Sequence, residues 1–135
     1  MTGERDLDAL LSSMKPEIVD GIFVFCTLAY DEPMPAAICP LLAFREREGT
    51  TLVTRREEAE AAGLRYEFAS RLITLTVHSA LDAIGFLAAI TARLAGAGIS
   101  VNAVSAFYHD HLFVPADRAD EALVLLQEMS EAKHL

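Results

Sequence analysis

The sequence predicts an α+β fold, an antiparallel sheet carrying helices on one face. Three observations lead there. Short β-branched and aromatic runs outnumber the helical patterns, and they recur in the order β, β, β, α and then β, α, β, β, α. Hydrophobic residues make up 53% of 135 residues, enough for a continuous core. No run of 18 uncharged apolar residues exists to span a bilayer.

Leu7, Leu10, Leu11 and Met14 recur at helical spacing and predict a short amphipathic helix, which Pro16 stops. GIFVFCTLA, from Gly21 to Ala29, reads as a buried strand. YDEPMPAAICP holds three prolines and must be an irregular connection. LLAFREREGTTLVT predicts a hairpin turning at Glu48 and Gly49, with Arg45 and Arg47 alternating with Glu46 and Glu48 as exposed strand charges. REEAEAAG follows as a short helix ending at Gly63.

In the second half, Ile73, Leu75 and Val77 alternate with Thr74, Thr76 and His78, a strand with one buried face. AIGFLAAITARLAGAG predicts a helix with Ile84, Leu87, Ile90 and Leu94 along its apolar side. ISVNAVSAF is the next strand and HLFV a third, paired to it through a turn. DRADEALVLLQEMSEA is a last helix, with Asp117 as its cap behind Pro115.

A right-handed crossover places the third of these strands between the first and the second, which is a ferredoxin-like arrangement lacking its last strand. The first half lacks its own first helix and can supply the missing edge. The two halves therefore read as degenerate copies of one unit, interlocked through a shared sheet.

Charge and cysteines narrow the partners. With 20 acidic against 11 basic residues, the net charge of −9 repels phosphate backbones and anionic membranes, so neither nucleic acid nor membrane is expected. Cys26 and Cys39 form no C-x-x-C pair and read as small buried side chains in a reducing compartment. The charged start MTGERDLDAL has no apolar signal region, and the location expected is cytoplasmic.

The strand ITLTVHS, the loop SALDAIG and the strand GISVNAVSAF, with Asn102 inside it, make the stretch from Leu72 to about Met129 resemble an ACT domain, a small regulatory module that commonly binds amino acids. With REREGTTLV and YHDHLFVP included, the whole chain resembles a group of small stand-alone tandem-ACT proteins. The resemblance implies an N-terminal helix over residues 1–16, a degenerate first ACT-like subdomain over 17–70 and a second ACT domain over 71–135. It also implies a regulatory sensor rather than an enzyme, with an amino acid as ligand. The family's usual loop has Asp-x-Pro-Gly where this chain has Asp82-Ala83-Ile84-Gly85, which makes the loop less rigid.

Physical reasons point to the same loop. Ser79 and Asp82 form a capping-box pattern before an apolar helical run, whose N-terminal N–H groups and dipole suit a carboxylate. Gly85 allows close backbone approach. Ser79, Ala80, Leu81, Asp82, Ile84 and Gly85 would form one wall, and Asn102, Ala103 and Val104 the other. Asn102 offers a donor and an acceptor, and an outward Asp82 would take the ligand's ammonium. The alternative is structural: a helix cap, a packing glycine and an asparagine bonded to backbone.

In FYHDHLFVP, a two-residue turn at His109 and Asp110 would leave Tyr108 and His111 as flanking strand residues, with His111 close to His78. A zinc site wants three or four ligands at fixed geometry; the motif reads as structural, with no metal. A hydrolase would use His78, His109 or His111 as base, Asp110 to orient it and Ser79 as nucleophile. No nucleophile elbow, phosphate loop or cofactor fingerprint accompanies them, and no cofactor is expected. A structural or interaction module without a ligand is the other alternative. Unpaired strand edges and the apolar composition predict a homodimer.

Overall fold

The computed structural model describes Gly3 and residues 5–133. Met1, Thr2 and Glu4 of the expected N-terminal helix, and His134 and Leu135 at the other end, lie outside the described residues. The chain runs α1 (Leu7–Ser13), β1 (Pro16–Leu28), β2 (Leu42–Arg45), β3 (Thr50–Arg55), α2 (Arg56–Ala61), β4 (Glu67–Leu75), α3 (Phe86–Gly96), β5 (Asn102–Ser105), β6 (Asp110–Pro115), a 3-10 turn (Ala116–Arg118) and α4 (Ala119–Ala132). The strands form one sheet in the order β2-β3-β1-β4-β6-β5. This is the α+β, ferredoxin-like arrangement expected.

Two compact units share the chain, Met1–Asp20 with Arg71–Leu135, and Gly21–Ser70. Strands β1 and β4 are long enough to run through both. The N-terminal residues up to Asp20 thus group with the second half of the sequence.

In the first of these units, α1 begins where the Asp6 carboxylate accepts the Ala9 N–H at 3.0 Å, a side-chain cap. It ends before Pro16. Its carbonyls do not go unpaired: the Ser130 hydroxyl of α4 donates to Met14 O at 2.9 Å. Leu10, Leu11 and Met14 of α1 join Ile73, Leu75, Ile90, Leu94, Leu112, Val114 and Leu126 in the core. Helix α3 buries Phe86, Ile90 and Leu94, four residues apart on one stripe. Each such side chain contributes about 1.5–3 kcal/mol by leaving water. Ile84, expected on that stripe, precedes the helix and is 87% exposed. Nor does Asp117 cap α4. It sits in the 3-10 turn, and Arg118 instead ties the turn down by donating to Ala97 O at 3.0 Å and pairing with Glu121.

In Gly21–Ser70, the register Thr27↔Thr51 and Cys26↔Leu52 puts Val24, Cys26, Leu28 and Leu52 on one face, which Ala59 of α2 covers. The stretch between β1 and β2 is irregular, as its prolines require. It is held by Glu58, whose Oε1 accepts from Cys39 N and from the buried Thr54 hydroxyl, both at 2.9 Å. Cys39 is exposed and not buried as expected, since it lies in the irregular connection outside the strands that build the core; Cys26 is buried on β1, and both are free thiols. Burial pushes the Cys26 thiol pKa up.

Candidate ligand site

The candidate site lies where β4 ends and β6 begins. The register Ser105↔Asp110 leaves Ala106–His109 as a four-residue connection, closed by Ala106 N donating to His109 O at 3.0 Å. The expected two-residue turn at His109 and Asp110 is therefore displaced by two residues. Asp110 is the first residue of β6, and the pleat turns it inward.

Asp110 is 6% exposed and Ser79 8%. The Asp110 carboxylate accepts from the Ser79 hydroxyl at 3.1 Å on one oxygen and from the Ser105 hydroxyl at 2.5 Å on the other. Ser79, Ala80, Leu81 and Ala83 of the loop, Phe86 and Leu87 of α3, and Ser105, Ala106 and Asp110 of the hairpin enclose a cavity of about 50 Å³. That volume admits a small polar group, or one or two waters, and no large side chain.

Helix α3 opens at this cavity with Gly85 as its N-cap, at φ +91°, and no side chain caps it. The first N–H groups of the helix thus lack an intrahelical acceptor. The capping-box reading of Ser79 and Asp82 does not hold, since the helix starts beyond both and each has another partner. Asp82 does not line the cavity and pairs with Arg5, Nε to Oδ1 at 3.0 Å and Nη2 to Oδ2 at 3.2 Å. The bond from Arg5 holds its carboxyl below the usual carboxylate range. Gly3 crosses the same loop so closely that a Cβ there would stand 2.9 Å from Ala80 N. Gly3 thus lies against the loop.

Of the remaining expected residues, Asn102 and Ala103 are exposed and Val104 half-buried, on β5 leading up to Ser105; none of them lines the cavity, and neither do Ile84 and Gly85. Sequence reasoning set Asp110 near Ser79 only to orient a histidine base, and missed it as the shared acceptor of Ser79 and Ser105. The available signal was an aspartate between two strand-flanking histidines, a place where an inward carboxylate must find donors.

The histidines do other things. His109 Nδ1–H donates to Val77 O at 3.2 Å, and His111 Nδ1 shares a hydrogen bond with the Thr74 hydroxyl at 3.0 Å. His78 packs its ring against Tyr108, with centroids 5.6 Å apart. Burial, and then the charge of His109, hold the His111 pKa below the ordinary imidazole value. Among the described residues no group of three or more His, Cys, Asp or Glu is arranged to hold a metal ion.

This arrangement matches known proteins. The sequence fits the ACT-domain family over residues 2–71 and again over residues 67–128. The chain belongs to the ACT-domain family. Among solved structures, a Vibrio cholerae protein described as of unknown function and as a possible transport protein is 44% identical, over 92% of this chain and 95% of that one, with a TM-score of 0.83. An Agobacterium tumefaciens protein is 20% identical over 87% and 89% of the two chains, with a TM-score of 0.72. The ligand-free regulatory subunit of aspartate kinase from Thermus thermophilus is 12% identical over 87% and 99%, with a TM-score of 0.62, a likeness of fold. None of the curated proteins matches.

The Ser79 hydroxyl is bonded to the Asp110 carboxylate, and among the described residues no histidine is hydrogen-bonded to it. No helix of the described residues is long and apolar enough to cross a membrane.

Proposed function

We propose that this tandem ACT protein is a non-catalytic regulator that binds a small molecule bearing an ammonium and a carboxylate, an amino acid in the simplest case. The observation that carries the reading is the buried Asp110 carboxylate, held by two serine hydroxyls at the wall of a cavity that also meets the uncapped start of α3. A carboxylate kept in place beside a cavity attracts an ammonium. The free N–H groups of α3 attract an anion on the other side, against an overall charge of −9. About 50 Å³ fits the head of such a molecule and leaves its side chain to extend past the exposed Leu81.

Asp82 is the second acceptor in this reading. Its pair with Arg5 would open when a ligand's ammonium takes the place of the guanidinium, so binding and the position of Arg5 are linked. Leu81, Ile84, Phe107 and Tyr108 stand exposed on the loop and the hairpin, an apolar rim suited to a second copy of the chain. The regulator acts through that association, as a homodimer.

The test is a calorimetric titration with the amino acids on wild type, Asp110→Asn and Asp82→Ala. The amino acid that binds should lose about tenfold or more in affinity with each variant, since each removes a charged partner. Unchanged binding in both variants would overturn the placement. Light scattering should return twice 14.7 kDa, and a monomer at high concentration would remove the dimer.

A further inference from the structure

The unit Gly21–Ser70 has its own groove, of about 520 Å³, ten times the cavity beside Asp110. Phe25, Cys26 and Thr27 of β1 and Thr51 of β3 form one wall. The stretch from Arg65 to Glu67, at the start of β4, forms the other. A volume of this size is ordinary for a small-molecule site.

The polar groups of the groove are unusually placed. Arg65 and Glu67 are exposed, and neither side chain has a hydrogen bond or an ion pair among the described residues. Glu67 opens β4 and Arg65 stands two residues before it, and both line the groove. The two opposite charges stand on one wall of the groove and make no ion pair with each other. On the opposite wall Thr27 and Thr51 are register partners, so their side chains stand side by side, with Phe25 on the same face.

The backbone beside the groove is strained. Phe68, directly after Glu67, has φ +60° and is the one non-glycine residue with positive φ among the described residues. For a bulky aromatic inside a strand that conformation is costly, and such strain concentrates where a side chain is re-aimed at a site. Here the Phe68 ring meets Phe25 edge to face, with centroids 5.8 Å apart, which fixes the apolar floor of the groove.

We propose that this groove is a second ligand site, for a small zwitterion whose carboxylate is held by Arg65, whose ammonium is held by Glu67, and whose apolar body lies on Phe25 beside the Thr27 and Thr51 side chains. Arginine offers a carboxylate a planar fork of donors. Glu67 turns away dianions, which narrows the class to zwitterions. The site is separate from Asp110 in residues and stands whether or not the loop site binds anything.

The experiment follows the backbone amides of the full chain by NMR during titration with γ-aminobutyrate and with L-leucine, and with butyrate and butylamine as half-molecules. Saturable shifts at Thr27, Thr51 and Arg65 to Glu67 with at least one zwitterion are expected, and which of the two binds reports the spacing. Each half-molecule should bind about tenfold or more weakly, having lost one charged contact. Arg65→Gln and Glu67→Gln, exposed positions that leave the core intact, should each weaken binding at these amides about tenfold or more and leave any shifts at Ser79 to Leu87 unchanged. The proposal fails if neither zwitterion moves the groove amides, if Arg65→Gln binds as wild type does, or if butyrate binds as tightly as γ-aminobutyrate.

Discussion

Asp110→Ala is the substitution that most directly probes the loop and hairpin. It deletes an acceptor that two hydroxyls use, Ser79 at 3.1 Å and Ser105 at 2.5 Å. A hydrogen bond to a charged group is worth about 1.5–3 kcal/mol, which sets a ceiling of about 3–6 kcal/mol for the pair. Two effects lower it. Both serines line the cavity, so water can reach their hydroxyls after truncation, and removing a buried carboxylate also removes its desolvation penalty. A loss of about 2–3 kcal/mol remains. For a chain of this size that is about 6–15 °C in Tm, at about 3–5 °C per kcal/mol. Asp110→Asn keeps the shape and one acceptor, and a serine hydroxyl can rotate to accept from the amide, so about 1 kcal/mol should be lost. Urea denaturation of wild type, both variants and the Ser79→Ala/Asp110→Ala double mutant measures the series and the coupling. If Asp110→Ala is as stable as wild type or more so, desolvation outweighs both bonds and the carboxylate does not organise the hairpin.

Other outcomes are expected from the same structure. Leu94→Ala, at a position with no exposed surface, should cost about 2–5 kcal/mol in chemical denaturation. Gly49→Ala should destabilise as well, since φ is +155° and the new Cβ would stand 2.5 Å from Leu28 O; a Tm equal to wild type would contradict the turn geometry. His111 has a folded pKa below its ordinary 6.5, so the unfolded chain takes up the proton first. Its contribution to stability is complete above about pH 6.5 and is lost as pH falls below that value, and His111→Gln should flatten this part of the stability profile. Asp82→Ala should leave the melting temperature close to wild type at physiological salt, because both partners of its ion pair are exposed and screened.

The sequence by itself determined most of the elements. Period-two alternation at Ile73 and Leu75, the helical spacing of Leu10, Leu11 and Met14, and the prolines after β1 are local signals, and each element formed where its signal lay. The α+β class and the two ACT-like halves follow from their order. What the tertiary structure decided is which residues meet. Ser79 looked like a cap for α3 because serine caps are common in such patterns, yet it is bonded to Asp110, 31 residues on. Asp82 found Arg5, 77 residues away. Neither partner is visible in a local window, since a hydrogen bond or an ion pair depends on distance in space. The turn after β5 shows the same limit on a smaller scale: Asp and His favour turns, but pairing of Ser105 with Asp110 moved Asp110 out of the turn and made it the first residue of β6, where the pleat fixes its direction. Thus the identity of the strands was legible in the composition, while the inward direction of Asp110, and with it the chemistry of the cavity, was decided by how β6 pairs with its neighbours.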